Sequence, residues 1–462
     1  MQPDLSCFFH PESIAIIGVS RNSSKAGYGI LKNVLWTFSR TEKIFPINPK
    51  VKEILGLKVY HSLKEVPGNI DLVICFVAPR SIPSLLKECH QKGVKGIIIE
   101  SAGFAEAGKE GKAIQEEIGQ LGKQFNIRIW GGNCMGTVTD ELITTFEPIT
   151  ADMRRKGVVS IVGQSGYFSG AVILQLFTER YTGIRKAASI GNRIDIDECD
   201  LLQDFLKDEE TEVAAFYLEG LKRPRKFLKL AKEFTQSKPL ICLLGGQSEV
   251  GRLATLSHTS STAHGSPQLL SDLLKQSKII QATEFGDFFN ILEAFAKLPL
   301  PNGNRLAIVT ITGAGGVIGA DIAAKYNIKI PEFSESTTRK LQKLFPEWMP
   351  PKNPVDSWPA FEIHGLDEAL RQIIPILCES NEIDMILLMI AAMQVAITFD
   401  PTVLQDMQKY RKPIITYIVG DNSIKYLWTS QIRSNGGVVH DDINTAVKIL
   451  DLMASHSLTR ET

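Results

Sequence analysis

Residues 13–29, SIAIIGVSRNSSKAGYG, decide how the chain folds. Ser13 to Gly18 is an apolar run of strand length that stops on a glycine. Behind it comes a polar turn, then Gly27 and Gly29 at the head of a helix-compatible stretch. Strand, glycine-containing turn and helix in succession make a βα unit of the nucleotide-binding kind, although the GxGxxG fingerprint is absent. Gly18, Gly27 and Gly29 permit close backbone approach. Ser20 and Lys25 offer a hydroxyl and an ammonium to phosphate oxygens, and a helix N-terminus behind them adds free N–H donors. The same residues also serve a purely structural tight turn.

Working outward, four apolar runs follow at crossover spacing: Lys43–Ile47 before Asn48-Pro49, Leu72–Val77 before Ala78-Pro79, Gly96–Ile99 before Glu100-Ser101, and Ile127–Trp130 before Gly131-Gly132-Asn133. Continuous apolar strands separated by helix-length polar stretches predict a parallel sheet covered on both faces. Such a sheet binds ligands just beyond the carboxyl ends of its strands, where Asn48, Pro49 and Asn133 fall. Asn48 and Asn133 equally suit plain turns. This first α/β domain is taken as residues 1–150.

Residues 151–298 repeat the pattern. Gly157–Val162 runs into Gly163-Gln164-Ser165-Gly166 and a helical stretch, Ala171–Phe177. A loop of small residues before a helix cradles a phosphoryl group with backbone N–H groups, and the P-loop ending is missing here. Ala187–Ile190 leads into Gly191-Asn192. The acids Asp195, Asp197, Glu198 and Asp200 open a helix, where acids are ordinary dipole chemistry. Glu212–Leu218 ends at Glu219, a carboxylate placed to orient a histidine ring or to cap the next segment. Pro239–Leu244 then precedes GGQSEVGRLATLSHTSSTAHG, residues 245–265, read as a long loop that carries His258 and His264 among small hydroxyl residues. A neutral histidine is a nucleophile near pH 7. One sheet edge gathers Ser165, Asn192, Glu219 and His258.

Residues 299–462 form a third α/β layer. Leu306–Ile311 is followed by Thr312-Gly313-Ala314-Gly315-Gly316 and a helix. Residues 341–356 carry four prolines and are read as loop. Met385–Met389, Ile414–Val419 and Val438–Val439 supply further strands.

The length of 462 residues suits roughly three domains. Lysine plus arginine and aspartate plus glutamate both count 51, so no global attraction to nucleic acid or an anionic membrane arises. No apolar run reaches membrane-spanning length. Seven scattered cysteines match no zinc or iron–sulfur spacing, and no metal site is expected from this chain alone. The composition fits a reducing cytoplasm. Trp130, Phe168 and Trp358 are pocket candidates, although aromatics more often pack cores.

In order along the chain stand IAIIGVS, PINPK, GGNCMGT, VGQSG, SIGN, YLEG, SHT and KNPVD. Together they resemble the alpha part of the nucleoside-diphosphate-forming acyl-CoA synthetases, the ADP-forming acetate–CoA ligase group related to succinyl-CoA synthetase. The resemblance implies a Rossmann-like CoA-binding domain followed by two flavodoxin-like ligase domains. It implies reversible conversion of acyl-CoA, phosphate and ADP to free acid, CoA and ATP through acyl phosphate and phosphohistidine. By the same resemblance His258 carries the phosphoryl group, Glu219 steadies its ring, and Ser165, Gly166 and Asn192 line the phosphate site. Gly18, Ser20, Lys25, Asn48, Pro49 and Asn133 hold CoA. ADP or ATP with Mg2+ belongs to a separate ATP-grasp beta subunit in an α2β2 assembly. The substrate is a small carboxylic acid or its acyl-CoA. Ser260 stands where the family usually has glycine, and GGNCMG replaces the commoner GPNCLG. These departures motivate an alternative, a CoA-binding regulatory or scaffold protein without turnover. A third reading, an NAD-dependent dehydrogenase, lacks both the GxGxxG fingerprint and a ribose-binding acid after the second strand.

Overall fold

The computed structural model describes residues 4–179, 181–258, 267–394, 399–400, 402–405 and 409–460; the side chains of 167–169, 256–258, 267, 269, 459 and 460 lie outside this description. The chain divides into two compact units, Met1–Thr178 with Gly183–Thr283, and Glu179–Thr182 with Glu284–Thr462.

In the first unit the chain runs through β1 (Ile14–Ile17), β2 (Ile44–Ile47), a short hairpin of β3 (Glu53–Ile54) and β4 (Leu57–Lys58), then β5 (Leu72–Cys75), β6 (Gly96–Ile99) and β7 (Arg128–Gly131). Five of these form a parallel sheet in the order β2-β1-β5-β6-β7. Alternate residues enter two different cores. Ile14, Ile16, Leu72, Ile74 and Ile98 face one, and Ala15, Val73, Cys75, Ile97 and Ile99 face the other. That double burial is why the strands read as unbroken apolar runs. The strand order reverses between β1 and β5, the position where open α/β sheets bind ligands.

The second sheet has the order β13-β12-β11-β9-β10-β8. It uses β8 (Thr137–Thr139), β9 (Lys156–Gly163), β10 (Ile184–Ser189), β11 (Val213–Leu218), β12 (Leu240–Leu244) and β13 (Ile280–Ala282). All are parallel except β8, which pairs antiparallel with β10. This short edge strand, TVT, is too polar to announce itself. Val162, Ala188, Phe216 and Cys242 of this sheet share one apolar core with Ile16, Ile74 and Trp130 of the first. Of the acidic run, Asp197 caps the helix Glu198–Lys207 in a reciprocal box with Asp200, whereas Asp195 precedes the helix and accepts from Arg128 Nε at 2.7 Å.

The second unit holds a parallel sheet in the order β15-β14-β16-β17-β18. Its strands are β14 (Leu306–Thr310), β15 (Val355–Asp356), β16 (Met385–Ala392), β17 (Ile414–Gly420) and β18 (Val438–His440). Thr312 caps the helix Gly313–Ala323 by accepting from the Gly315 N–H. Among the described residues no helix is long and apolar enough to cross a membrane.

One stretch departs from its reading. Residues 249–258 are not loop but the helix Glu249–His258. Ser248 starts it, its hydroxyl accepting from the Gly251 N–H at 3.0 Å, with Glu249 in the first turn. Leucine and alanine then outweigh the glycine and hydroxyl residues that suggested a loop. His264 and the rest of 259–266 lie outside the described residues.

Candidate active site

The anticipated residues fall into two groups on carboxyl-terminal strand edges of the first unit. Gly18 leaves β1 with φ +93°, and a Cβ there would stand 2.4 Å from the Phe76 carbonyl oxygen. A Cβ on Gly27 would stand 2.2 Å from the Gly18 carbonyl oxygen, so the helix Ala26–Thr37 can begin this close to β1 only with glycines at both points. Lys25 occupies the N-cap position of that helix, and no side chain caps it. Ser20 accepts from the Asn22 N–H at 3.1 Å within the turn. Asn48 has a scaffolding contact: its Nδ2 donates to the Val19 carbonyl at 2.6 Å and its Oδ1 accepts from the Lys50 N–H at 2.8 Å. The end of β2 is thereby fastened to the glycine turn, and Pro49 follows on the surface.

The second group gathers around β7, β9, β10 and β11. Asn133, at φ +53°, follows β7 and donates its N–H to the Ser101 carbonyl at 2.9 Å. Its loop is laced to the loop after β10, because the Asn192 N–H donates to Gly132 and the Ile194 N–H to Gly131, both at 2.9 Å. Met135 lies against the first turns of the helix Gly166–Thr178, where added Cβ atoms on Gly166 and Gly170 would stand 3.3 and 2.7 Å from its side chain. Ser165 and Gly166 thus open a thirteen-residue helix beside the β7 loop. From β2 to β7 the sheet spans four inter-strand steps, roughly 19 Å, so a ligand touching both groups must be elongated.

Glu219, 8 % exposed, follows β11. Tyr217 Oη donates to its Oε1 at 3.1 Å, and a Cβ on Gly245 would stand 3.2 Å from its Cγ. The segment that bears His258 therefore departs from the side of Glu219. Burial, then the charge of Glu219 and the bond to it, push the Tyr217 phenol upward, keeping it a donor at neutral pH. Asn192 is turned elsewhere: its Nδ2 donates to Glu106 Oε2 at 2.6 Å and Gln115 Oε1 at 3.0 Å. Burial raises Glu106, but bonds from Asn192 and the Gly103 N–H outweigh it and hold the carboxyl below its ordinary range. His258 is the last described residue of its helix, and its imidazole lies outside the described side chains, as does Phe168. Trp130 is a core residue, its Nε1 donating to the Ser189 carbonyl at 2.7 Å, whereas Trp358 is half-exposed.

Two buried groups join this site without a sequence signal of their own. Gln164 is the first: its Oε1 accepts the Glu219 N–H at 2.9 Å. Glu100, 3 % exposed at the end of β6, is the second, and neither of its oxygens has a partner among the described residues. It lies beneath Gly136, where a Cβ would stand 2.8 Å from its Oε1. Burial alone raises Glu100 well above 4.5. The folded state then keeps a proton that the unfolded chain releases, so stability falls as pH rises above 4.5. Glu100→Gln is expected to raise the unfolding midpoint, with a gap over wild type that widens between about pH 5 and about pH 8. Thermal unfolding across that range checks it, and a pH-independent gap would contradict it.

Among the described residues Asp197, Glu198 and Cys199 bring ligand-type atoms within 4.8 Å of one another. Asp197 is bonded to Arg223 at 2.5 Å and Glu198 to Arg193 at 3.0 Å, so guanidinium groups already balance these carboxylates.

The parallel sheet with its switch-point crevice and the second sheet with its glycine-loop helix correspond to two known domain families. Residues 12–140 match the CoA binding domain family, and residues 156–295 the succinyl-CoA ligase-like flavodoxin domain. Acetate–CoA ligase [ADP-forming] II of Archaeoglobus fulgidus is 32 % identical over 468 residues, covering 99 % of this chain and 68 % of that protein. Acetate–CoA ligase [ADP-forming] I subunit alpha of Pyrococcus furiosus is 32 % identical over 466 residues, covering 97 % of each. The dinucleotide-forming acetyl-coenzyme A synthetase 1 of Ca. Korarchaeum cryptofilum, solved with phosphate and ADP, superposes with a TM-score of 0.89 at 28 % identity, covering 99 % of this chain and 98 % of that one. The chain belongs to the ADP-forming acyl-CoA synthetase family.

Proposed function

We propose that this chain is the alpha-type part of an ADP-forming acyl-CoA synthetase and works with a nucleotide-binding beta part. Phosphate attacks the thioester carbonyl, the C–S bond breaks, and CoA leaves with the sulfur electron pair. The His258 nitrogen then attacks phosphorus, the P–O bond to the acyl oxygen breaks, and the carboxylate departs. In the partner, an oxygen of the ADP terminal phosphate attacks the same phosphorus and the P–N bond breaks, giving ATP. Each step runs in reverse for acyl-CoA synthesis.

The observation that carries this reading is the junction of three loops: Gly131–Gly136, Ser189–Asn192 and Gln164–Gly166, with Glu219 beside the last. The uncapped helix start at Lys25 and the glycine turn at Gly18 suit the phosphate end of CoA, and Ser20 and Pro49 share that edge. Asn48 acts there by holding the turn, and Asn133 by shaping the loop at the reactive end. Ser165 and Gly166 present N–H groups to the phosphoryl oxygens, and Asn192 shapes that loop from Glu106 and Gln115. Mg2+ accompanies the nucleotide in the partner, the assembly is α2β2, and the acid is small. Seven free, buried thiols suit a reducing cytoplasm.

The division of labour is tested with the purified chain. Given acetyl-CoA and phosphate it should release CoA in a single turnover and make ATP only when the nucleotide-binding partner and ADP are added. Undiminished ATP synthesis by the chain alone would refute that division.

A further inference from the structure

We propose that Gln164 is a phosphoryl-contacting residue of this site: its Nε2 donates to a phosphoryl oxygen while its Oε1 locks the position of Glu219. The inference rests on the phosphohistidine reading above for the identity of the phosphoryl donor.

Gln164 lies between the end of β9 at Gly163 and the helix that begins at Gly166. Its backbone N–H donates to the Tyr217 carbonyl at 3.1 Å, and its Oε1 accepts the Glu219 N–H at 2.9 Å, so strand, helix start and carboxylate are tied through one residue. The residue is 1 % exposed. A carboxamide has two N–H donors, and the bond from Glu219 fixes which end is oxygen. Nε2 is buried and finds no acceptor among the described residues. A donor left unmatched in the interior is costly unless something else supplies the acceptor. An amino-terminal helix end, small residues at 165 and 166 and an orphaned N–H pair favour an anion here, against the repulsion of the neighbouring Glu219 carboxylate. A phosphoryl oxygen meets that need. Glu219 cannot drift away from the ring it serves, because the same carboxamide grips its backbone.

Gln164→Glu separates contact from scaffolding, since it keeps the acceptor for Glu219 and replaces the donor with a carboxylate. With acetyl phosphate as the phosphoryl source, the full chain carrying Gln164→Glu should label His258 about 100-fold more slowly than wild type. CoA affinity should stay unchanged. Lowering the pH, which restores a protonated donor at 164, should narrow the gap; a scaffolding role would show no such recovery. Gln164→Met, of similar bulk and with neither donor nor acceptor, should be as slow without the pH response. Wild-type labelling rates in folded Gln164→Glu overturn the proposal. If wild type itself takes no label, the phosphohistidine reading fails, and calorimetry with inorganic phosphate decides the contact: weaker binding by Gln164→Glu supports it and equal binding overturns it.

Discussion

Asparagine in place of His258 is expected to end phosphoryl transfer. Asparagine matches imidazole in size and polarity but cannot form the P–N bond, so the loss should reach at least the order of 10^4-fold in ATP synthesis. CoA binding should stay within about twofold, because the proposed CoA turn is built by β1, β2 and the helix between them, not by the helix Glu249–His258. Loss of acetate-dependent and ATP-dependent half-reactions together, with CoA titrations unchanged, is the expected pattern. Retained labelling in His258→Asn that disappears in His264→Asn would move the assignment to the second ring.

The next largest effect is expected from Gly18→Ala. An alanine there meets two penalties at once: a φ of +93° and a Cβ placed 2.4 Å from a backbone oxygen that cannot step aside. The cost should be about 2–4 kcal/mol, with CoA binding lost because the turn that faces the switch point must open. Gly68 provides the comparison. It has φ +73° but nothing within 4 Å of a Cβ, so Gly68→Ala should cost about 1 kcal/mol and leave CoA binding intact. Denaturant midpoints and CoA titrations of the pair separate close approach from backbone strain.

The sequence made the strands plain and the side-chain partners obscure. Runs such as IAII and LVIC are apolar on both faces because each sheet is covered twice, and that signal survives without any tertiary information. TVT at 137–139 failed to stand out because an antiparallel edge strand of three residues buries too little to need an apolar run. The helix at 249–258 was hidden by its glycine and hydroxyl residues, since the capping contact from Ser248 that starts it is invisible to composition. Asn48 and Asn192 were legible as strand-edge residues, but their carboxamides bind Val19, Glu106 and Gln115, partners 29 to 86 positions away in the chain. Gln164 stood in a motif that drew the eye to its serine and glycine; only burial and the unmatched Nε2 single it out.

The most direct test of the account is phosphorus-labelled phosphate added with acetyl-CoA to the purified chain, followed by peptide mapping under alkaline conditions. The account predicts one acid-labile, base-stable phosphoryl group per chain on His258, with an equivalent of CoA released and the label discharged by ADP once the partner is present. Cleavage of acetyl-CoA with no label on His258, or a label that forms without the thioester, would contradict it.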